Sequence, residues 1–312
     1  MRWILNPQSS GSIQKSRSVY WLKCIVGVAM VCSLSFVVVP HSMALSITRD
    51  FMGGNPQATA IGGGNLMDIF NVAADMWEQA VLDSHTLTLH YGWSPSGTTH
   101  TMVQQAGAPN RETEGVILFS NKTDSGTFQY YLDPTPHLNE EYLTFSETFQ
   151  DLGGGLINTG RVFSNAVGDA AVPGYTDLLT TALHEIGHSL GISNAHTSFL
   201  AEQVDGDIDI HAPRPFAGTT IPLASNYSGI TSHVDLGFGP VMASGSHNTR
   251  QLLSELDVVL NAELSEFRHL NLNPTQTMPE PSALILFGTG LLGLGVRWWR
   301  LKWLEGMKVK GA

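Results

Sequence analysis

The sequence predicts an α+β domain, and three stretches of the chain indicate it. Apolar residues recur at helical spacing between Leu66 and Val81, and again between Leu178 and Ile186. Directly after the first of these helices, residues 85–91 alternate between polar and apolar side chains, as a half-buried strand does. The predicted architecture is a twisted mixed sheet with two long helices, followed by a smaller and irregular C-terminal lobe.

The remaining elements are predicted from local signals of capping, alternation and composition. Asn65 is placed to cap the first helix. Ser254 and Asp257 form a capping box, and a closing helix is predicted from Leu256 to Phe267. Strands are expected at 116–119, 127–132 and 160–163, residues 142–149 are ambiguous, and the Gly-rich or Ser/Thr/Pro-rich stretches 45–64 and 93–113 are expected to be loops.

The first 44 residues have the layout of a secretory signal peptide. Four basic residues are spread over positions 1–23, an apolar run of 16 residues follows at 24–39, and a cleavage site of small residues ends at Ala44. The alternative is a signal that is retained as an anchor. Both cysteines of the chain, Cys24 and Cys32, lie in this segment. The mature protein is therefore expected to be exported without a disulfide.

The C-terminal 34 residues form a second targeting segment. Pro279-Glu280-Pro281 precedes a 14-residue apolar run at 283–296, and basic residues and tryptophans follow from Arg297 onward. The run is short for a spanning helix, which needs about 20 residues. This order resembles the PEP-CTERM sorting signal, which implies processing by an exosortase, transient inner-membrane anchoring and release to the surface or matrix. The alternative is an ordinary C-terminal anchor.

The domain between these segments is predicted at 45–270, with a linker at 271–278. Residues 45–278 contain 25 acidic and 7 basic residues, a net charge of about −18. Such a charge argues against nucleic acid or an anionic membrane surface as a partner. Solubility explains most of these carboxylates. Asp205, Asp207 and Asp209, at alternate positions around a glycine, are a candidate calcium site, although the closing glutamate of an EF-hand loop is missing; the alternative is a solvated turn.

The second predicted helix carries the pattern H-E-x-x-H. His184 and His188 are four residues apart, so they project from one helix face and are able to bind one zinc ion. Glu185 lies beside the metal as a general base. Gly191 is expected to end the helix with a left-handed turn. The alternative is a solvated helix face that carries these residues by chance.

This motif and the glycine that follows resemble those of zinc metalloproteases, and more narrowly of metzincin-like peptidases. The resemblance implies a zincin-type α+β fold and an exported endopeptidase that uses zinc-activated water. Two other functions remain open: a non-catalytic zinc-binding surface or matrix protein, and a metal-dependent hydrolase of a non-peptide substrate. Tyr227 and His247 are candidates for stabilising the oxyanion only by their place in the sequence.

The third zinc ligand departs from the common short motif, because Asn194 occupies its position. His233 lies nine residues before Met242, and Val241-Met242-Ala243 resembles the methionine turn of metzincins. This order, with a long insertion before a lone histidine, resembles leishmanolysin-like peptidases and implies His233 as the ligand. His196, or an aspartate of the acidic turn, remains an alternative.

Overall fold

The computed structural model describes residues 44–107, 109–123, 129–237, 239–243 and 248–276. Helices and strands are mixed along this part of the chain, so the predicted α+β class is confirmed. The predicted signal peptide up to position 43 and the sorting segment from 277 onward lie outside the described residues. Among the described residues, no helix is long and apolar enough to cross a bilayer.

The largest sheet consists of β1 (Leu45–Gly53), β2 (His85–Ser94), β3 (Thr99–Ala106) and β4 (Arg111–Ser120), in the order β1-β2-β4-β3. β1, β2 and β4 run parallel, whereas β3 is antiparallel to β4 and forms an edge of the sheet. Leu87 and Leu89 of β2 point into the core and are fully buried.

Two long helices pack together beneath this sheet. α1 (Leu66–Ala80) begins at Asn65, whose side chain accepts a hydrogen bond from the Asp68 amide, as predicted. α2 (Leu178–Leu190) carries the H-E-x-x-H residues. The buried indole of Trp77 in α1 donates a hydrogen bond to the Leu183 carbonyl, 2.9 Å away, and this contact sets the two helices against each other.

In the described part of the chain, three smaller sheets and three short helical segments complete the fold. The elements are β5 (Gln129–Tyr131), β6 (Tyr142–Asp151), β7 (Leu156–Ala166), a 3₁₀ helix (Gly168–Ala171), β8 (Tyr175–Asp177), α3 (Thr197–Glu202), β9 (Asp207–Asp209), β10 (Thr220–Asn226), β11 (Gly229–Val234), β12 (Arg250–Leu252) and α4 (Glu255–Leu264). One sheet has the order β11-β10-β9 and another the order β12-β7-β6, while β5 pairs with β8 alone. Because β12 pairs with β7, the chain after α2 shares a sheet with the chain before it.

Several predicted boundaries are wrong. Residues 45–64 were expected to be a loop, yet β1 occupies Leu45–Gly53, because Leu45 and Ile47 alternate into the core. Residues 93–113 contain the end of β2, all of β3 and the start of β4. The ambiguous stretch 142–149 lies within β6, and the closing helix ends at Leu264 rather than at Phe267.

Candidate metal centre

The helix that carries the motif is anchored at its N-terminus by a buried ionic network. Asp177 caps α2 by accepting hydrogen bonds from the amide and the hydroxyl of Thr180. The same carboxylate contacts the guanidinium of Arg250, which also bonds Asp133. All three charged side chains are buried, and the two carboxylates hold the pKa of Arg250 above its usual range. This network fixes where α2 begins, and therefore where its histidines lie.

The structure brings His184, His188 and His233 together. If one nitrogen is taken from each imidazole ring, these three nitrogens all lie within 4.8 Å of one another. The ring centroids of His184 and His188 are 4.6 Å apart, and that of His233 is 5.1 Å from His184 and 5.4 Å from His188. No other group of three or more His, Cys, Asp or Glu side chains in the described part of the chain converges in this way.

Backbone carbonyl groups determine the tautomer of the two helix histidines. His184 Nδ1 lies 2.7 Å from the Val241 carbonyl oxygen, and His188 Nδ1 lies 2.7 Å from that of Ile192. A carbonyl group only accepts, so Nδ1 carries the proton and the lone pair of Nε2 is free. Burial lowers the pKa of His184 to about 4 and that of His188 well below its usual value, and repulsion between the imidazoles adds to both shifts. Both rings are therefore neutral, as metal ligands must be.

The third histidine is held differently. His233 lies in β11, and burial also lowers its pKa. Within the described residues, its ring makes no hydrogen bond. Its position depends on the strand, whose end is tied to the turn below it by a hydrogen bond from the Val234 amide to the Met242 carbonyl.

Glu185 is buried between the two helix histidines, with a relative exposure of 7%. Burial alone raises the pKa of its carboxyl group to about 8. A divalent cation bound beside the carboxyl group would oppose this shift, because it would favour the charged form.

Met242 is fully buried and packs against Gly187 of α2. A Cβ atom at Gly187, between the two helix histidines in the sequence, would overlap the sulfur of Met242, so this buried methionine would have to move. The buried carboxylate of Asp257 accepts hydrogen bonds from the Val241 and Met242 amides, at 3.1 and 3.0 Å. The same carboxylate completes the predicted capping box with Ser254 at the start of α4.

An open cavity of about 570 Å³ lies over the three histidines and Glu185. The edge strand β3 and the residues before it form one wall, with Thr98, Thr99 and His100. Ser193 and Asn194, which follow α2, line it as well. The cavity is thus bordered by a free sheet edge.

The opposite wall is the hairpin of β10 and β11. Asn226, Ser228, Ile230, Thr231 and Ser232 line the cavity from this side. The Asn194 amide donates a hydrogen bond to the Ser232 hydroxyl, 3.1 Å away, and so joins the hairpin to the segment after α2. β11 is the terminal strand of its own sheet, so both walls of the cavity contain a terminal strand.

A buried carboxylate beside the centre was not predicted from the sequence. Glu112 in β4 contacts His100 at 2.9 Å and His196 at 3.6 Å, and all three side chains are buried. His196, the alternative third ligand, therefore lies against Glu112 rather than with the other histidines. A Cβ atom at Gly115 would overlap the Glu112 carboxylate. The enrichment of residues 98–103 in Thr and Val is the signal for a strand that would have placed His100 in the cleft.

Other predicted site residues are not brought together. Asp205, Asp207 and Asp209 do not form a convergent group, and Asp209 accepts a hydrogen bond from Thr220. Tyr227 is fully exposed at the tip of the hairpin, and His247 lies outside the described residues.

Gly191 ends α2, but with φ 159° and ψ −47° rather than in a left-handed helical turn. A glycine is needed because a Cβ atom there would crowd Leu264 of α4. The predicted role of Gly191 in ending the helix holds, and the predicted backbone conformation is wrong.

Comparison with known proteins identifies the C-terminal segment. A family model described as the PEP-CTERM protein-sorting motif matches residues 279–300. The motif supports export, membrane anchoring before processing by an exosortase, and a final location at the surface or outside the cell. Neither the curated proteins nor the solved structures contain a match to this chain.

Proposed function

We propose that this protein is an exported zinc endopeptidase with a zincin-like fold. The observation that carries the proposal is the convergence of His184, His188 and His233 beside the buried carboxyl group of Glu185. Three neutral imidazoles and an open side suit a catalytic zinc site, which keeps one position for water or substrate. A mixed sheet with two helices, of which the second carries the motif, is the arrangement that the resemblance to metzincins implies.

Residues of the chain would bind the metal and keep its ligands oriented. His184, His188 and His233 would hold the metal through their free nitrogens, and the carbonyl groups of Val241 and Ile192 would keep two of these rings oriented. When bound, zinc supplies Lewis-acid chemistry that polarises a carbonyl group and makes water more acidic.

Glu185 would accept the proton of the attacking water and pass it to the leaving amine. The free edge of β3 beside the cavity supports a peptide substrate, because an extended backbone binds such an edge by strand addition.

The decisive experiment compares the full chain with its Glu185→Gln variant. The parent is expected to bind one zinc ion and to digest casein, and o-phenanthroline is expected to abolish the digestion. The variant should keep zinc and lose at least about 10²-fold in turnover, since only the proton carrier is removed. Glu266→Gln, an equal change at an exposed residue outside the cleft, should have no effect.

Three results would contradict the proposal. Near-normal activity of Glu185→Gln would exclude the assigned base. A parent chain without zinc would exclude the metal site. Zinc binding without hydrolysis of any peptide would favour the non-catalytic alternative.

We also propose that the sorting segment is removed from the mature protein. The matched motif begins at Pro279, directly after the predicted linker at 271–278. Mass spectrometry of the extracellular form should therefore detect peptides of the 45–278 body and no peptides from 297–312. Recovery of these C-terminal peptides from extracellular material would contradict removal.

A further inference from the structure

The walls of the cleft are unusually polar for a peptidase site that binds side chains. Apart from the four histidines and Glu185, the described residues that line it are serines, threonines and asparagines, with Ile230 as the single apolar side chain. None of these wall residues is a lysine, arginine, aspartate or glutamate. Ligand pockets that select apolar groups are lined mainly by hydrophobic and aromatic side chains, which this lining lacks.

Several of these polar groups are free to bond a ligand. Within the described residues, the side-chain amide of Asn194 and the hydroxyl of Ser228 have no protein partner, and both are exposed. Other wall groups are already engaged: the Thr231 hydroxyl donates to the Ala224 carbonyl, and the Asn226 oxygen accepts from the Ser228 amide. The free donors and acceptors therefore lie in the segment after α2 and at the tip of the hairpin, on two sides of the cavity.

These groups determine which substrate side chains bind favourably in the cleft. A leucine or phenylalanine would displace water from amides and hydroxyls without replacing the lost hydrogen bonds, and it would find only one apolar neighbour. A serine, threonine or asparagine replaces those bonds. A charged side chain would meet no opposite charge on the walls. Sites built from hydrogen-bonding groups discriminate strongly against analogues that lack the matching group.

We propose that the substrates are peptide segments rich in serine, threonine and asparagine, and that Asn194 and Ser228 contribute to this specificity. The proposal rests on the proposed peptidase function, which it deepens by naming the substrate class of the same site.

The test uses two fluorogenic peptides of equal length and equal net charge. They differ only in four positions around the centre, which are Ser, Thr and Asn in one peptide and Leu, Val and Phe in the other. The zinc-loaded full chain is expected to cleave the polar peptide with a kcat/KM at least about tenfold higher, a ratio equivalent to about 1.4 kcal/mol. Binding of both peptides to the Glu185→Gln variant, measured by fluorescence anisotropy, should show the same preference without turnover.

A matched pair of variants tests whether Ser228, on the wall of the cleft, contributes to the preference for the polar peptide. Ser228→Leu should reduce the ratio of the two kcat/KM values by at least about threefold, the effect expected for the loss of one hydrogen bond. Ser225→Leu makes the same replacement in the same hairpin, at an exposed residue that does not line the cavity, and should leave the ratio unchanged. Equal effects of the two variants would overturn the role of Ser228.

The outcomes separate this inference from the proposed function. Cleavage of the apolar peptide as well as or better than the polar one would overturn the substrate class and leave the peptidase intact. Selective binding of the polar peptide, with neither peptide nor casein cleaved, would support the ligand class and overturn the peptidase. A chain that binds neither peptide and digests neither the peptides nor casein would overturn both.

Discussion

The two parts of the proposed zinc site are supported in different ways. The helix part, with His184 and His188, has each ring oriented by a backbone carbonyl group, and its helix begins at a buried carboxylate. The strand part has His233 on β11, an edge strand, and its ring makes no hydrogen bond within the described residues. The fold therefore preorganises the helix part, whereas a bound metal would have to complete the orientation of His233.

The strongest test of the helix part is its buried ionic network. Arg250→Met would leave the carboxylates of Asp133 and Asp177 buried without their partner. Breaking a buried ion pair from one side costs about 3–5 kcal/mol, so we expect a loss of this size in the free energy of unfolding, measured by urea denaturation.

Arg49→Met is the matched control for this variant. Arg49 also forms two ion pairs, with Asp75 and Glu78, but these side chains are partly exposed. Its loss should cost no more than about 1 kcal/mol. Equal losses of unfolding free energy in the two variants would mean that the buried Arg250 network stabilises the fold no more than the partly exposed Arg49 pairs do.

The strand part is tested by removing its ligand. His233→Ala should lower the affinity for zinc by at least about 100-fold and abolish casein digestion, because a direct ligand contributes more than the outer partners, whose loss costs about 10- to 100-fold. His196→Ala removes a histidine that lies against Glu112, and should retain the metal. Zinc content, measured by elemental analysis, distinguishes the two candidate ligands. If His196→Ala loses the metal and His233→Ala keeps it, the assignment of His233 is wrong.

The same difference explains what the sequence could predict. His184 and His188 are four residues apart, so helix geometry alone places them on one face, and both the helix and its motif are found by periodicity. His233 is 45 residues beyond His188, and its place depends on the pairing of β10 with β11, which no local pattern specifies. The prediction of His233 rests instead on the order and spacing of His233 and Met242, which resemble those of leishmanolysin-like peptidases.

The cleft walls were the least predictable part. Residues 93–113 were expected to be a loop because they are rich in Ser, Gly and Thr, yet β3 lies here and contributes His100 to the cavity. An edge strand that faces solvent needs no apolar alternation, so its pattern does not stand out. Glu112, in the inner strand β4, was missed for a different reason: a buried carboxylate is recognised only when the fold brings its partners His100 and His196 to it.

Asp257 connects the two parts, and its variant has the smallest expected effect of the three. Its carboxylate binds the amides of Val241 and Met242; the Val241 carbonyl orients His184, and the Met242 carbonyl holds the end of β11. In Asp257→Asn only one side-chain oxygen remains to accept, so one of these amides loses its partner.

We expect zinc affinity in Asp257→Asn to fall about 10- to 100-fold, the range for outer partners of a metal ligand, while the folded chain persists. Competition with a chromophoric chelator measures this affinity, and circular dichroism checks the fold. Ser254→Ala is the control, because it weakens the same helix cap without touching the turn, and should cost about 1 kcal/mol of stability with little change in zinc affinity. If Asp257→Asn loses stability but binds zinc as the parent does, the turn supports the fold alone, and the two parts of the site are independent.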